Sequence, residues 1–187
     1  MSNLTPELIT LRWWQAMFLP TAQLKEKGLQ AAPTLYKAQL KRCDSINAIM
    51  LTEGFRALWL SLPQKIIDST KTNEIECWAT LVGALVYVKS DSKRKFAQVA
   101  GSKGEGDKSL VSELRFAQLQ DAKTPDEFLR RLRRILQQVK NEVSVTALAK
   151  DIQQWFYEYH TLRPERAEKR ISVQWAMDYY RAASAKK

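Results

Sequence analysis

Apolar residues return every three or four positions through most of this chain, and most such runs end at a residue that stops helices. Thr5-Pro6-Glu7 supplies an N-cap and a proline at the first helical position, opening a helix that carries Trp13, Trp14, Met17 and Phe18 and ends before Pro20. A connector rich in Ala, Gly and Pro covers 28–33. Helices are then predicted over Thr34–Arg42, over 46–62 up to Pro63, and over 73–89, where Ile75, Trp78, Leu81, Val82, Leu85 and Val88 trace a buried face. The stretch 90–108 changes character. Its lysines, Arg94 and three glycines predict a mobile basic loop with a helical fragment at 96–100. Beyond it, helices are predicted over 111–121, from Pro125 to about Lys140, over 144–159 and over 164–183. Thr124-Pro125-Asp126-Glu127 combines a cap, a proline, acids over the positive end of the helix dipole, and capping-box spacing. No strand alternation, internal repeat or low-complexity tract interrupts the series. The pattern predicts an all-α, two-lobe helical bundle without a sheet: an N-terminal lobe at 1–90, a basic Gly-containing connector at 91–109, and a C-terminal bundle at 110–187.

Composition narrows the class. Of 187 residues, 45% are hydrophobic, enough for a core and against intrinsic disorder. Thirty Lys and Arg oppose 20 Asp and Glu, a formal net charge of +10, and this surplus calls for a polyanionic partner, nucleic acid first. Residues 1–109 and 110–187 each carry 15 basic and 10 acidic side chains, so the charge belongs to the folded body rather than to a tail. Cys43 and Cys77 have neither CxxC spacing nor a nearby His, and read as reduced thiols, Cys77 in the core. No secretory signal is visible, and the most apolar stretch, 78–88, is too short to cross a bilayer, so a cytoplasmic location without membrane association is expected.

The sharpest chemical feature is the helix that begins at Pro125. On a helical wheel Phe128, Leu129, Leu132, Ile135, Leu136 and Val139 fill one arc, and Arg130, Arg131, Arg133 and Arg134 are read as filling the opposite one. A guanidinium pairs with phosphate oxygens through a planar fork, so four arginines without an intervening acid predict a phosphate-binding face. The bland alternative is a solvated helix face with ion pairs to Asp126 and Glu127. Three further basic groups could extend the surface: Lys37, Lys41 and Arg42; Lys93, Arg94 and Lys95; and Lys169 with Arg170. Such a groove binds nucleic-acid backbone with steep salt dependence.

The paired aromatics invite a base-stacking reading, but most aromatic stripes at helical spacing are core, and Trp13, Phe116, Trp155 and Trp175 are placed there. Catalysis finds no support. His160 is the single histidine, no metal-spaced carboxylate cluster occurs, and the glycines at 101, 104 and 106 follow no strand. Neither an enzyme, a cofactor nor a small-molecule substrate is expected.

The stretch SELRFAQL (112–119), the LRRLRRIL helix (129–136), the 145–155 segment and the final QWAMDYY (174–180) resemble the CasB small-subunit family of the type I-E CRISPR surveillance complex, Cascade. The early tryptophan helix and KAQLKR (37–42) fit the N-terminal lobe of that family. The resemblance implies a non-catalytic subunit that assembles with the other Cascade subunits and crRNA, as a head-to-tail pair with a second copy of itself. It further implies a basic surface that holds the displaced non-target DNA strand and stabilises the R-loop, while guide pairing supplies the sequence specificity. Carried over by position, that surface would use Lys37, Lys41, Arg42, Arg115, Arg130, Arg131, Arg133, Arg134, Lys169 and Arg170. Two alternatives stay open on the residues alone: a stand-alone helical DNA-binding protein, and a purely structural helical adaptor.

Overall fold

The computed structural model describes residues 5–68, 73–140, 142–161 and 163–185. Twelve α-helices follow one another among them: α1 (Pro6–Phe18), α2 (Thr21–Glu26), α3 (Thr34–Arg42), α4 (Ile46–Met50), α5 (Glu53–Ser61), α6 (Gln64–Ile67), α7 (Glu74–Leu85), α8 (Phe96–Gly101), α9 (Glu113–Gln120), α10 (Pro125–Gln138), α11 (Val145–His160) and α12 (Ile171–Ser184). The class is all-α, as the periodicity predicts.

The differences in detail have local causes. The helix expected over 46–62 is two helices, because Thr52 turns its hydroxyl to the backbone N–H of Phe55 and caps α5 as a new start. The last helix begins at Ile171 rather than near 164; the chain before it forms a 3-10 turn, Ala167–Lys169. A sheet, unexpected from the pattern, is present in minimal form. Ser90–Asp91 (β1) pairs in parallel with Glu142–Val143 (β2). Asp91 Oδ1 then accepts the N–H of Val145 at 2.8 Å, so β1 also caps α11.

Helix α7 lies at the centre. Every residue from Cys77 to Leu85 is buried, so the helix has no polar face and packs against α3, α4, α5, α10 and α11. Ile75, expected on its buried stripe, is instead exposed at the entrance. On α1, Trp14 rather than Trp13 enters the core. Its indole N–H donates to the Val88 carbonyl at 2.8 Å, while Trp13 packs only at the margin. Trp14→Phe keeps most of the apolar area but orphans a buried carbonyl, and is expected to cost about 1–2 kcal/mol in a urea titration, with the slope unchanged.

A second concentration of packing is aromatic. Phe96, Phe116, Phe128, Trp155, Trp175 and Tyr179 touch in a chain of ring contacts, led by Phe128 on Trp155 at 4.1 Å and Phe116 on Tyr179 at 4.5 Å. Buried residues from Trp14 to Tyr179 form one continuous cluster, and Phe96, Ala97, Val99 and Ala100 of α8 belong to it. The expected division at 91–109 is therefore not marked by a break in the core. The middle of that segment is a buried helix, and its basic residues Lys93, Arg94 and Lys95 stand exposed at its edge.

Candidate nucleic-acid interface

Helix α10 begins on its expected cap: Thr124 Oγ1 accepts the N–H of Glu127 at 3.2 Å. The reciprocal half of the capping box is displaced by one residue, with Glu127 Oε2 accepting from Lys123 N–H at 2.7 Å. Asp126 serves another helix altogether, because its Oδ1 accepts the N–H of Ile46 at 2.7 Å and covers the start of α4.

The four arginines of α10 divide into two classes. The apolar arc is centred near Leu132, and Arg130 and Arg134 lie almost opposite that centre, whereas Arg131 and Arg133 each lie about 100° from it, at the two borders. Arg130 and Arg134 are exposed. Arg131 is half-buried and bonds to Glu127 and to the Gln118 carbonyl at the end of α9. Arg133 is buried. Its Nε donates to the Gly83 carbonyl at 2.8 Å, Nη2 to the Leu40 carbonyl at 3.1 Å, and Nη1 to the Cys43 carbonyl. Its guanidinium also stands 5.0 Å from the centre of the Tyr87 ring. Of the four arginines expected on a phosphate-binding face, two are fully presented, because groups at the border of an amphipathic helix are within reach of neighbouring backbone.

Helix α3 contributes the second group. Lys37 lies over the Phe18 ring at 4.7 Å, Lys41 lies over Tyr87 at 5.9 Å, and Arg42 is exposed. The Lys41 ammonium titrates below the ordinary lysine range, first because it is partly buried and then because Lys37 and Lys89 repel it. That coupling adds Lys89, exposed at the end of the α7 segment, to the cluster. Aromatic rings under two of these ammoniums hold them without neutralising them.

The remaining candidates scatter. Arg115 is exposed in the first turn of α9. Arg94 lines a cleft of about 670 Å³ together with Lys103, Lys108 and Lys140, in the company of Glu105 and Glu142. Lys93 is exposed beside it. Lys169 is exposed, but Arg170 turns back onto the carbonyls of Pro164 and Glu165 and holds that loop together. The acid available to pair with Lys95 is Asp178, 3.4 Å away on α12.

Among the described residues, no three His, Cys, Asp or Glu side chains gather where a metal ion could be held, and no helix is long and apolar enough to cross a membrane. The fold and this surface therefore define a helical protein whose exposed chemistry is cationic. Residues 36–180 match the family model of CRISPR-associated protein Cse2, and the chain belongs to that family. It is a small subunit of the type I-E Cascade complex, a structural component that associates with the other Cascade subunits. No curated protein and no solved structure gives a match.

Proposed function

We propose that this subunit holds the sugar-phosphate backbone of the displaced non-target DNA strand along the cations of α3 and α10, and thereby stabilises the R-loop. The observation that carries the reading is the pairing of two cationic helices. α3, with Lys37, Lys41 and Arg42, is tied within the reach of one arginine side chain to α10, with Arg130 and Arg134. A row of cations on fixed helices attracts phosphates without reading bases, and such contacts position a strand rather than specify it. Stabilising an R-loop requires only a small bias on a nearly balanced exchange of duplexes, which sequence-blind cations can supply. In this reading Arg115, Lys93, Arg94 and Lys169 extend the path. A second copy arranged head to tail lengthens it, and the protein works in the cytoplasm within the crRNA-guided complex.

Affinity for a single-stranded DNA oligomer across a salt series tests the proposal. Each phosphate contact on a single strand contributes about 0.7 to the slope of log affinity against log salt. The double variant Arg130→Gln/Arg134→Gln is therefore expected to flatten the slope by about 1.4, with its thermal unfolding unchanged. A slope equal to that of the wild type would remove α10 from the interface and favour the adaptor reading, in which the basic faces meet protein.

A further inference from the structure

Arg133 is the strongest candidate for a role that its burial does not itself explain. A buried guanidinium ordinarily faces a carboxylate. Here all three hydrogen bonds go to backbone carbonyls, and these belong to two helix ends: Leu40 and Cys43 at the end of α3, and Gly83 in the last turn of α7. The last carbonyls of a helix have no partner within it and carry the negative end of its dipole, so one cation serves both termini. Burial lowers the affinity of Arg133 for its proton, and Tyr87, Cys43 and Asp44 act in the opposite direction. An arginine stays charged through such shifts.

Two further features are shaped around this contact. A side chain at position 83 would put its Cβ 2.5 Å from Ile49 Cδ1, 3.2 Å from Leu129 Cδ2 and 3.3 Å from Arg133 Nη2, so glycine there leaves room for the guanidinium together with its two apolar neighbours. Tyr87 faces Arg133 with its ring and donates its hydroxyl proton to the Lys41 carbonyl at 3.1 Å, a second tie from the α7 segment to the same end of α3.

We propose that Arg133 is a positioning residue for strand binding: it clamps the C-terminal turn of α3 against α7 and α10, so that the α3 cations and the exposed arginines of α10 present one rigid cationic track. The inference rests on the strand-holding role proposed above. It differs from direct phosphate binding, because the Arg133 side chain is buried and each of its three nitrogens already donates to a backbone carbonyl. Fixing the cations in advance matters because a strand otherwise has to order them on binding, at a cost in conformational entropy.

The test is a double-mutant cycle on single-stranded DNA binding, combining Arg133→Met with neutralised α3 (Lys37→Gln/Lys41→Gln/Arg42→Gln). In the wild-type background Arg133→Met is expected to flatten the salt slope by about 1.4–2.1, the share of two to three α3 phosphate contacts. In the neutralised background it is expected to change the slope no further. A loss that persists there would show that Arg133 meets DNA itself and would overturn the proposal. Gly83→Ala keeps every cation while crowding the clamp, and provides the same reading where Arg133→Met does not fold. It is expected to flatten the slope as well, and an unaltered slope would count against positioning. Hydrogen exchange gives a readout without DNA. Amides of residues 40–44 should exchange at least tenfold faster in either variant while those of α12 hold, and unchanged exchange at 40–44 would overturn the clamp. If the wild type binds no single strand at all, the strand-holding reading fails, and the exchange experiment still decides whether the clamp exists.

Discussion

Gly101→Ala is expected to destabilise the protein by about 3–5 kcal/mol, more than the same substitution at any other glycine of the chain. Gly101 ends α8 where that helix crosses α12, and a Cβ there would come within 2.1 Å of the Tyr179 carbonyl oxygen and 2.8 Å of its carbon. The obstacle is backbone, so no rotamer change relieves it and the two helices have to separate. Separation loosens the aromatic cluster that depends on their contact, because Phe96 of α8 meets Trp175 of α12 at a tilt, and Tyr179 stacks on Phe116. The Tyr179 hydroxyl, which donates to the Val111 carbonyl, moves with it. Chemical denaturation of the purified variant measures the loss. A change below about 1 kcal/mol would mean that α8 and α12 slide apart without cost, contrary to the dense packing of protein interiors.

The second large effect has the opposite sign. Asp151→Asn is expected to stabilise the protein at pH 7 by about 1–3 kcal/mol. Asp151 accepts the indole N–H of Trp175 at 2.8 Å beside the aromatic cluster. Burial pushes its carboxyl from 3.8 up to about 6, against the opposing effects of the Trp175 hydrogen bond and of Lys95 and Lys150, while Asp178 pushes the same way as burial. Below about pH 4 the folded and unfolded chains both hold this proton, and the side chain costs nothing extra. Between about 4 and 6 the unfolded chain releases it while the folded one retains it, so this residue's contribution falls as pH rises. Above 6 the full penalty of the partly buried, desolvated carboxylate is present and constant. Asparagine keeps the acceptor for Trp175 and removes the charge. The difference in melting temperature between variant and wild type should therefore be near zero at pH 4, grow to pH 6 and then level off. A difference that is flat across this range would show that Asp151 is not desolvated in the folded protein.

Trp175 was legible as core from helical spacing alone, but its polar partner was not. Asp151 and Trp175 are 24 residues apart on different helices, and only the packing of α12 against α11 makes a partly buried, desolvated carboxylate of an unremarkable acid. The arginine helix shows the same limit more sharply. Its amphipathic pattern identified α10 and its cap without help. Read as one polar arc, however, its four arginines were not told apart, although Arg131 and Arg133 lie at its borders, about 100° from the centre of the apolar arc. What no pattern could state is that the end of α3 and the last turn of α7 offer carbonyls at one of those borders and the end of α9 at the other.

The sequence by itself determined the all-α class, the starts of α1 and α10 through the caps Thr5 and Thr124, the family and the cationic character of the surface. These depend on neighbours within about one helical turn or on composition, and such information is local. The tertiary structure alone decided that Trp14 rather than Trp13 enters the core, that the helical fragment expected near 96–100 is buried, and that a two-residue parallel pairing joins 90–91 to 142–143. It also decided which cations are presented and which are consumed inside. Each of these depends on where distant chain segments place a backbone carbonyl or an apolar wall, and that placement is a property of the assembled helices, not of any one of them.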